Sequence, residues 1–113
     1  MGASDNLLVV QLDVNNPLDA KTAVKTTIEK FGRVDVLVNN AANFCAGFFE
    51  ELSPAQVERQ ISTNLFGPMN VSRAVLPVMR KVRSGHIISI SSLAGLVGQD
   101  FCGAYSATKF GLE

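Results

Sequence analysis

Three residues near the end of the chain have types and spacing that suit proton transfer: Ser92, Tyr105 and Lys109. Tyr105 is the only tyrosine, and Lys109 follows it by four residues, so a helix would place the phenol and the ammonium on one face. A phenol titrates near pH ~10 in water and is a poor proton donor at neutrality, whereas a neighbouring cation favours the phenolate. The pair suits general acid–base chemistry, although for these two residues alone an exposed helical pair is the favoured interpretation.

The strands that must position these residues are three nearly unbroken apolar runs, at residues 7–12, 34–38 and 86–90. Such runs have the pattern of strands buried on both faces, which is typical of parallel sheets. We therefore predict an α/β fold, with a parallel three-stranded partial Rossmann-type sheet flanked by helices.

The helices are predicted over residues 16–32, over residues 53–82 and from Gly103 onward. Asn16 and Ser53 are suitable N-caps, and a proline follows each of them at the first helical position. The segments between these elements, including residues 93–102, are predicted as loops.

Pro68 interrupts the long middle helix in an informative way. A proline lacks the N–H that would bond the carbonyl four residues earlier, and that carbonyl belongs to Asn64. The sequence thus predicts one free main-chain acceptor in the middle of a helix.

Polar and small residues follow the predicted strands at their carboxyl ends: Asp13, residues 39–42 and Ser92. Ligands of open parallel sheets bind in the crevice at this edge. His86 begins a strand, so an edge or capping role is favoured for it over catalysis. Phe44, in the loop after the second strand, is interpreted as a packing anchor together with Phe48 and Phe49.

The composition limits the classes of function. The chain has 113 residues, 47% of them hydrophobic and 18% charged, with no formal net charge, which indicates one globular domain without the basic surface of a nucleic-acid binder. The apolar runs are too short for a membrane span and no signal peptide opens the chain, so a cytoplasmic location is expected. Cys45 and Cys102 have no metal-ligand spacing and are interpreted as reduced core residues; no metal site is predicted.

Four motifs together resemble the short-chain dehydrogenase/reductase family. They are Asn-Asn-Ala-Ala at 39–42, Asn64 in an Asn-Leu-Phe-Gly context, Ser92, and Tyr105 with Lys109. The intervals of thirteen residues from Ser92 to Tyr105 and of forty-one from Asn64 to Tyr105 match those of the family.

The resemblance implies a role for each of four residues in a reversible hydride transfer between a secondary alcohol or ketone and NAD or NADP. Tyr105 would be the catalytic acid/base, and Ser92 would polarise the substrate oxygen. Lys109 would assist Tyr105 and bind the nicotinamide ribose, and Asn64 would hold a water through its main-chain carbonyl.

The resemblance also implies the residues that contact the cofactor. Asp13 and Val14 would border the adenine, and Asn40, Ala41 and Ala42 would line the cofactor. The partners implied are a small-molecule substrate and other copies of the chain in a homo-oligomer.

Two departures from the family pattern affect these expectations. Ala42 replaces the usual glycine, and the nine glycines nowhere form the Gly-x-x-x-Gly-x-Gly turn that binds the pyrophosphate. We expect residues 1–113 to be a single, incomplete dinucleotide-binding domain, in which residues 7–12 either pair with residues 34–38 or are covered by another chain. A catalytically silent folding or dimerisation module, or a nucleotide-binding module without chemistry, are the alternatives, and inactivity is favoured for the isolated chain.

Overall fold

The computed structural model describes residues 5–98 and 102–112; the predicted loop over residues 99–101 and the two extreme ends of the chain lie outside this range. The principal elements, in chain order, are α1 (Pro17–Phe31), β1 (Val36–Asn39), α2 (Pro54–Ile61), a single π-helical turn (Ser62–Phe66), α3 (Gly67–Val82), β2 (His86–Ser89) and α4 (Gly103–Leu112). Two short 3-10 turns, Phe49–Glu51 and Leu93–Gly95, lie in the connections.

Helix α1 begins and ends where its capping residues predict. The Asn16 side chain accepts hydrogen bonds from Leu18 N and Asp19 N, which satisfies main-chain donors that have no partner within a helix. Gly32 ends the helix with φ 82°, and its N–H donates to Ile28 O. This left-handed conformation favours glycine because a Cβ would be strained there.

The middle helix also begins as predicted but is not uniform. Ser53 and Gln56 form a reciprocal capping box at the start of α2. Four residues before Pro68 the helix has already widened into the π turn Ser62–Phe66, in which Gly67 N donates to Ser62 O. A wider turn is a local way to accommodate a position at which the ordinary donor is missing.

Strands β1 and β2 form a parallel pair, with Val36 opposite His86 and Asn39 opposite Ser89. The α/β class and the parallel sheet flanked by helices are therefore confirmed. His86 begins β2, as predicted, and its N–H donates to Asp35 O.

The predicted count of three strands is wrong for the described residues, in which the sheet contains β1 and β2 alone. Residues 7–12 do not pair with β1, because a cleft of about 230 Å³ separates Leu12 and Val14 from Leu37 and Val38. A strand is maintained by hydrogen bonds to a neighbour, and the cleft keeps β1 out of reach. The alternative of direct pairing with residues 34–38 is thereby excluded.

The core lies between α1, α3 and the sheet. Ala20, Val71, Val75 and Met79 are buried there, and partly buried side chains from residue 12 onward pack around them. Leu12 and Val14 thus contribute apolar side chains to the core without belonging to a strand of the sheet. Within the described residues, every helix is too short or too polar to cross a membrane.

Candidate active site

Helix α4 holds Tyr105 and Lys109 together, as their spacing predicts. Lys109 Nζ lies 5.6 Å from the centroid of the Tyr105 ring, within the range of a cation–π contact. Lys109 is only 4% exposed, and its Nζ donates a hydrogen bond to Ile90 O at a distance of 2.9 Å. This hydrogen bond ties α4 to the residue that follows β2 and holds the ammonium in place beneath the phenol ring.

The ring of Phe44 contacts Tyr105 from another direction. The two ring centroids are 4.9 Å apart, with an interplanar angle of 79°, which is the favourable edge-to-face arrangement. The prediction that three phenylalanines of this loop are packing anchors is wrong. All three residues are more than half exposed: Phe44, Phe48 and Phe49. The ring of Phe44 instead forms an apolar wall beside the phenol.

Ser92 lies at the start of the 3-10 turn Leu93–Gly95, and its Oγ accepts a hydrogen bond from Ala94 N over 3.2 Å. Its own O–H is therefore available for donation to another group. A Cβ built on Gly95 would come within 2.9 Å of Lys109 O and 2.8 Å of Ser91 Oγ. Only glycine allows this approach, which brings the segment after Ser92 directly against the Lys109 turn of α4.

Asn64 lies in the π turn and is 1% exposed. Its side-chain amide forms two hydrogen bonds with the main chain of the loop after β1. Asn43 N–H donates to Asn64 Oδ1 at 2.7 Å, and Asn64 Nδ2 donates to Asn43 O at 2.8 Å. One turn earlier, Gln60 Nε2 donates to Cys45 O. Two amides from one helical segment thus hold residues 43–45 close to Tyr105.

Thr108 is a member of this cluster that the sequence analysis missed. Its Oγ1 donates a hydrogen bond to Tyr105 O at 2.7 Å and accepts one from Asn64 Nδ2 at 3.4 Å. Within the sequence it is simply the residue before Lys109, and nothing in its immediate neighbours indicates that a side chain forty-four positions earlier meets it in space.

The predicted cofactor residues are partly brought together by the cleft between residues 12–14 and β1. Its lining includes Val14, Asn40 and Ala41, whereas Asp13 and Ala42 lie outside that lining. Asp13 instead accepts a hydrogen bond from Asn15 N through its Oδ1. Cys45 and Cys102, interpreted as core residues, are free and only partly buried.

The turn at Val14 is attached to the helix that carries Asn64. Asn70 Nδ2 donates to Val14 O over 2.9 Å, and the Val14 side chain packs so closely on Gly67 that a Cβ there would lie 2.8 Å from it. Asn15 adds side-chain hydrogen bonds to Ser62 and Thr63. The cleft and the π turn are therefore parts of one connected structure.

The comparison with known proteins decides the family. The model of the short chain dehydrogenase family matches residues 1–113. The chain belongs to the short-chain dehydrogenases. The resemblance inferred from the four motifs is thereby confirmed.

Two curated relatives show how this short-chain dehydrogenase is related to others. It is 46% identical over 107 residues to a 3-ketodihydrosphingosine reductase of Bacteroides thetaiotaomicron, in an alignment that covers 95% of this chain and 39% of the relative. It is 44% identical over 107 residues to human retinol dehydrogenase 8, covering 95% of this chain and 33% of that protein. The chain spans less than half the length of the curated relatives it matches.

A solved structure agrees with the fold. The structure of ElxO with NADP bound superposes with a TM-score of 0.87 at 35% sequence identity, and the match covers 90% of this chain and 42% of that one. The expectation of NAD or NADP as the cofactor agrees with the NADP bound to ElxO.

Proposed function

We propose that this short-chain dehydrogenase chain carries the reacting side chains of an NAD(P)-dependent oxidoreductase that interconverts a secondary alcohol and a ketone. The observation that supports this most strongly is the cluster around Tyr105, in which a buried ammonium lies against the phenol ring. When bound, the nicotinamide group supplies or accepts the hydride.

Tyr105 moves the proton of the reaction. Its phenol donates to the ketone oxygen during reduction and takes the proton back during oxidation, which is general acid–base catalysis. The Ser92 O–H, which is not used in its hydrogen bond with Ala94 N, donates to the same substrate oxygen and stabilises the negative charge that develops there.

Lys109 acts from the other side of the ring. An ammonium has three N–H donors, and among the described residues Nζ makes one hydrogen bond, to Ile90 O. The remaining donors suit the hydroxyls of the nicotinamide ribose. Asn64 contributes its main-chain carbonyl, which Pro68 cannot bond, as the acceptor for a water that relays protons toward Lys109.

The cleft between residues 12–14 and β1 suits one end of a dinucleotide. Its walls include the apolar side chains of Leu12, Val14, Leu37 and Val71, which favour a flat heterocycle such as adenine, with Asp13 at the border and Asn40, Ala41 and Ala42 along the cofactor. Its volume of about 230 Å³ is smaller than that of a usual ligand pocket. We therefore expect this chain to bind the cofactor weakly.

Two titrations test the proposal: NADH and NADPH are added to the purified chain, and cofactor oxidation is followed with a ketone panel that includes 3-ketodihydrosphingosine. The ketone is chosen because a related protein is a 3-ketodihydrosphingosine reductase. Retinol, a primary alcohol outside the proposed substrate class, is tested with NAD and NADP to mark the limit of the substrate range, because another relative is a retinol dehydrogenase. Tyr105→Phe keeps the ring and removes the hydroxyl, so we expect turnover to fall by roughly 100-fold or more while cofactor binding is retained.

The matched control is Phe49→Leu, which alters a ring that is 81% exposed and leaves turnover within about twofold of the unmodified chain. Turnover that survives in Tyr105→Phe contradicts the proposed role of the phenol. Absence of NADH and NADPH binding at any concentration contradicts cofactor use by this chain.

A second candidate is a catalytically silent folding or dimerisation module, and the outer face of α3 favours it. Met69 and Leu76 are each nearly half exposed on that face and line a surface depression with Arg73 and Arg80. A homo-oligomer that buries this face would be detected by gel filtration, and Leu76→Glu would convert it to a monomer.

A further inference from the structure

Thr108 is buried beneath the Tyr105 turn, with 1% of its surface exposed. A threonine hydroxyl has one proton and two lone pairs. In Thr108 the proton is donated to Tyr105 O, over 2.7 Å, and a lone pair accepts from Asn64 Nδ2, over 3.4 Å. The hydroxyl therefore connects α4 to the π turn.

The Asn64 amide can take only one orientation in this arrangement. Its Oδ1 accepts from Asn43 N–H, and its two N–H donors point to Asn43 O and to Thr108 Oγ1. Rotation of the amide by half a turn would place two acceptors against each other at Asn43. Because the Thr108 proton is already donated to Tyr105 O, Thr108 offers Asn64 an acceptor and favours the observed orientation.

We propose that Thr108 is a positioning residue, whose hydroxyl fixes the Tyr105 turn of α4 to the Asn64 amide and, through it, to the loop after β1. This inference rests on the proposed function in one respect, namely that Tyr105 is the reacting phenol.

The consequence for Tyr105 follows from the position of its neighbours. Phe44, whose ring contacts the phenol edge-on, directly follows Asn43 in the chain. The main chain of Tyr105 and the wall beside its ring are thus held by one continuous set of hydrogen bonds, Tyr105 to Thr108 to Asn64 to Asn43. Loss of the Thr108 hydroxyl frees the two parts to move relative to each other.

The test is residue-resolved hydrogen exchange on this chain, with three variants. Thr108→Val replaces the hydroxyl by a methyl of similar size, and Thr108→Ser keeps the hydroxyl. Thr27→Val is the matched control, because Thr27 Oγ1 also donates to a main-chain carbonyl, Ala23 O at 2.8 Å, in a partly buried position on α1.

In Thr108→Val we expect exchange at Asn43 N–H and in the first turns of α4 to rise by roughly fivefold, as the loss of one hydrogen bond predicts. Thr108→Ser and Thr27→Val leave exchange at Asn43 unchanged. Unchanged exchange at Asn43 in Thr108→Val, or an equal rise in Thr27→Val, overturns the proposal. If far-ultraviolet circular dichroism shows Thr108→Val to be unfolded, Thr108→Ala, which adds no volume, takes its place in the same comparison.

A second readout uses Tyr105 itself, which is the only tyrosine in a chain without tryptophan. Its near-ultraviolet circular dichroism changes in Thr108→Val and is restored in Thr108→Ser. In a sample that oxidises NADPH, kcat falls by roughly fivefold to tenfold in Thr108→Val, while the KM for NADPH changes less than about twofold. An unchanged kcat with an altered KM for NADPH contradicts the positioning role.

These measurements separate the two proposals. Failure of the proposed function appears as the absence of NADPH oxidation in every sample, including the unmodified chain. Failure of the positioning role appears as unchanged exchange at Asn43 in a folded variant, whether or not any sample turns over.

Discussion

The helical side of the molecule and its sheet satisfy their hydrogen-bonding groups in different ways. On the helical side, Gln60, Asn64 and Thr108 are all nearly inaccessible to solvent, and each has a hydrogen-bonding partner within the same cluster. Within residues 5–98 and 102–112 the sheet has two strands, and every residue of β2 is exposed. Most polar groups of this cluster are therefore paired with one another, although Gln60 Oε1 and Asn43 Oδ1 are buried without a partner among the described residues. The sheet, in contrast, leaves apolar surface uncovered.

The difference indicates what each region requires in order to form. The polar cluster is assembled from side chains of α2, the π turn and α4. A parallel sheet requires cover on both faces, and among the described residues α1 and α3 cover one. The radius of gyration, 15.9 Å, exceeds the ~13 Å expected for a compact domain of this length, in agreement with an open sheet.

The sharpest test of this comparison sets a core methionine against a strand valine. Met79, on α3, is 6% exposed, so we expect Met79→Ala to lower the free energy of unfolding by about 2–5 kcal/mol. Val38, on β1, is 52% exposed, and Val38→Ala should cost about 1 kcal/mol or less. Urea unfolding followed by circular dichroism measures both. Equal losses would mean that the sheet is covered in solution.

A smaller effect is expected where the turn after Ser92 meets α4. The Cβ of Gly95→Ala would come within 3 Å of the Lys109 main chain, and we expect this overpacking to cost about 1–3 kcal/mol. Gly98, where a Cβ meets nothing within 4 Å, supplies the control, and Gly98→Ala should change the stability by less than about 0.5 kcal/mol. Tolerance of Gly95→Ala without loss of stability would show that the turn can move away from α4.

The smallest loss of stability is expected from removal of a helix N-cap, and it should be equal for α1 and α2. Ser53→Ala and Asn16→Ala each remove an N-cap, at α2 and α1 respectively, and each should cost about 1 kcal/mol of unfolding free energy. Thermal unfolding of the two variants provides the measurement. A markedly smaller loss for Asn16→Ala would indicate that α1, on the side of the cleft, is already frayed in the unmodified chain.

Local signals in the sequence predicted much of the fold. Asn16 and Ser53 cap the helices that they were expected to cap, because a cap depends on residues within one turn. The spacing of Tyr105 and Lys109 likewise placed both on one helix face with the ammonium near the ring. Pro68 marked the interruption of the middle helix, although the wide turn itself was not foreseen.

The contacts that sequence reasoning missed all depend on tertiary structure. Residues 7–12 have the composition of a buried strand but lack a partner strand among the described residues, and composition does not report which neighbours are present. Phe44 was expected to be buried and instead lies against Tyr105 in an exposed loop. The bond between Thr108 and Asn64 joins positions whose proximity only the folded chain establishes.

The two hydrogen bonds between the Asn64 side chain and the Asn43 main chain resemble those between paired residues of neighbouring strands. A hydrogen-bonded pair of antiparallel residues exchanges both an N–H and a C=O, and Asn64 offers the same two groups to Asn43. The loop beside the phenol therefore makes the same two hydrogen bonds that a paired strand residue makes, but with one rotatable side-chain amide. A glutamine at position 64 would keep the chemistry of that pair and, being one methylene longer, move the loop with it.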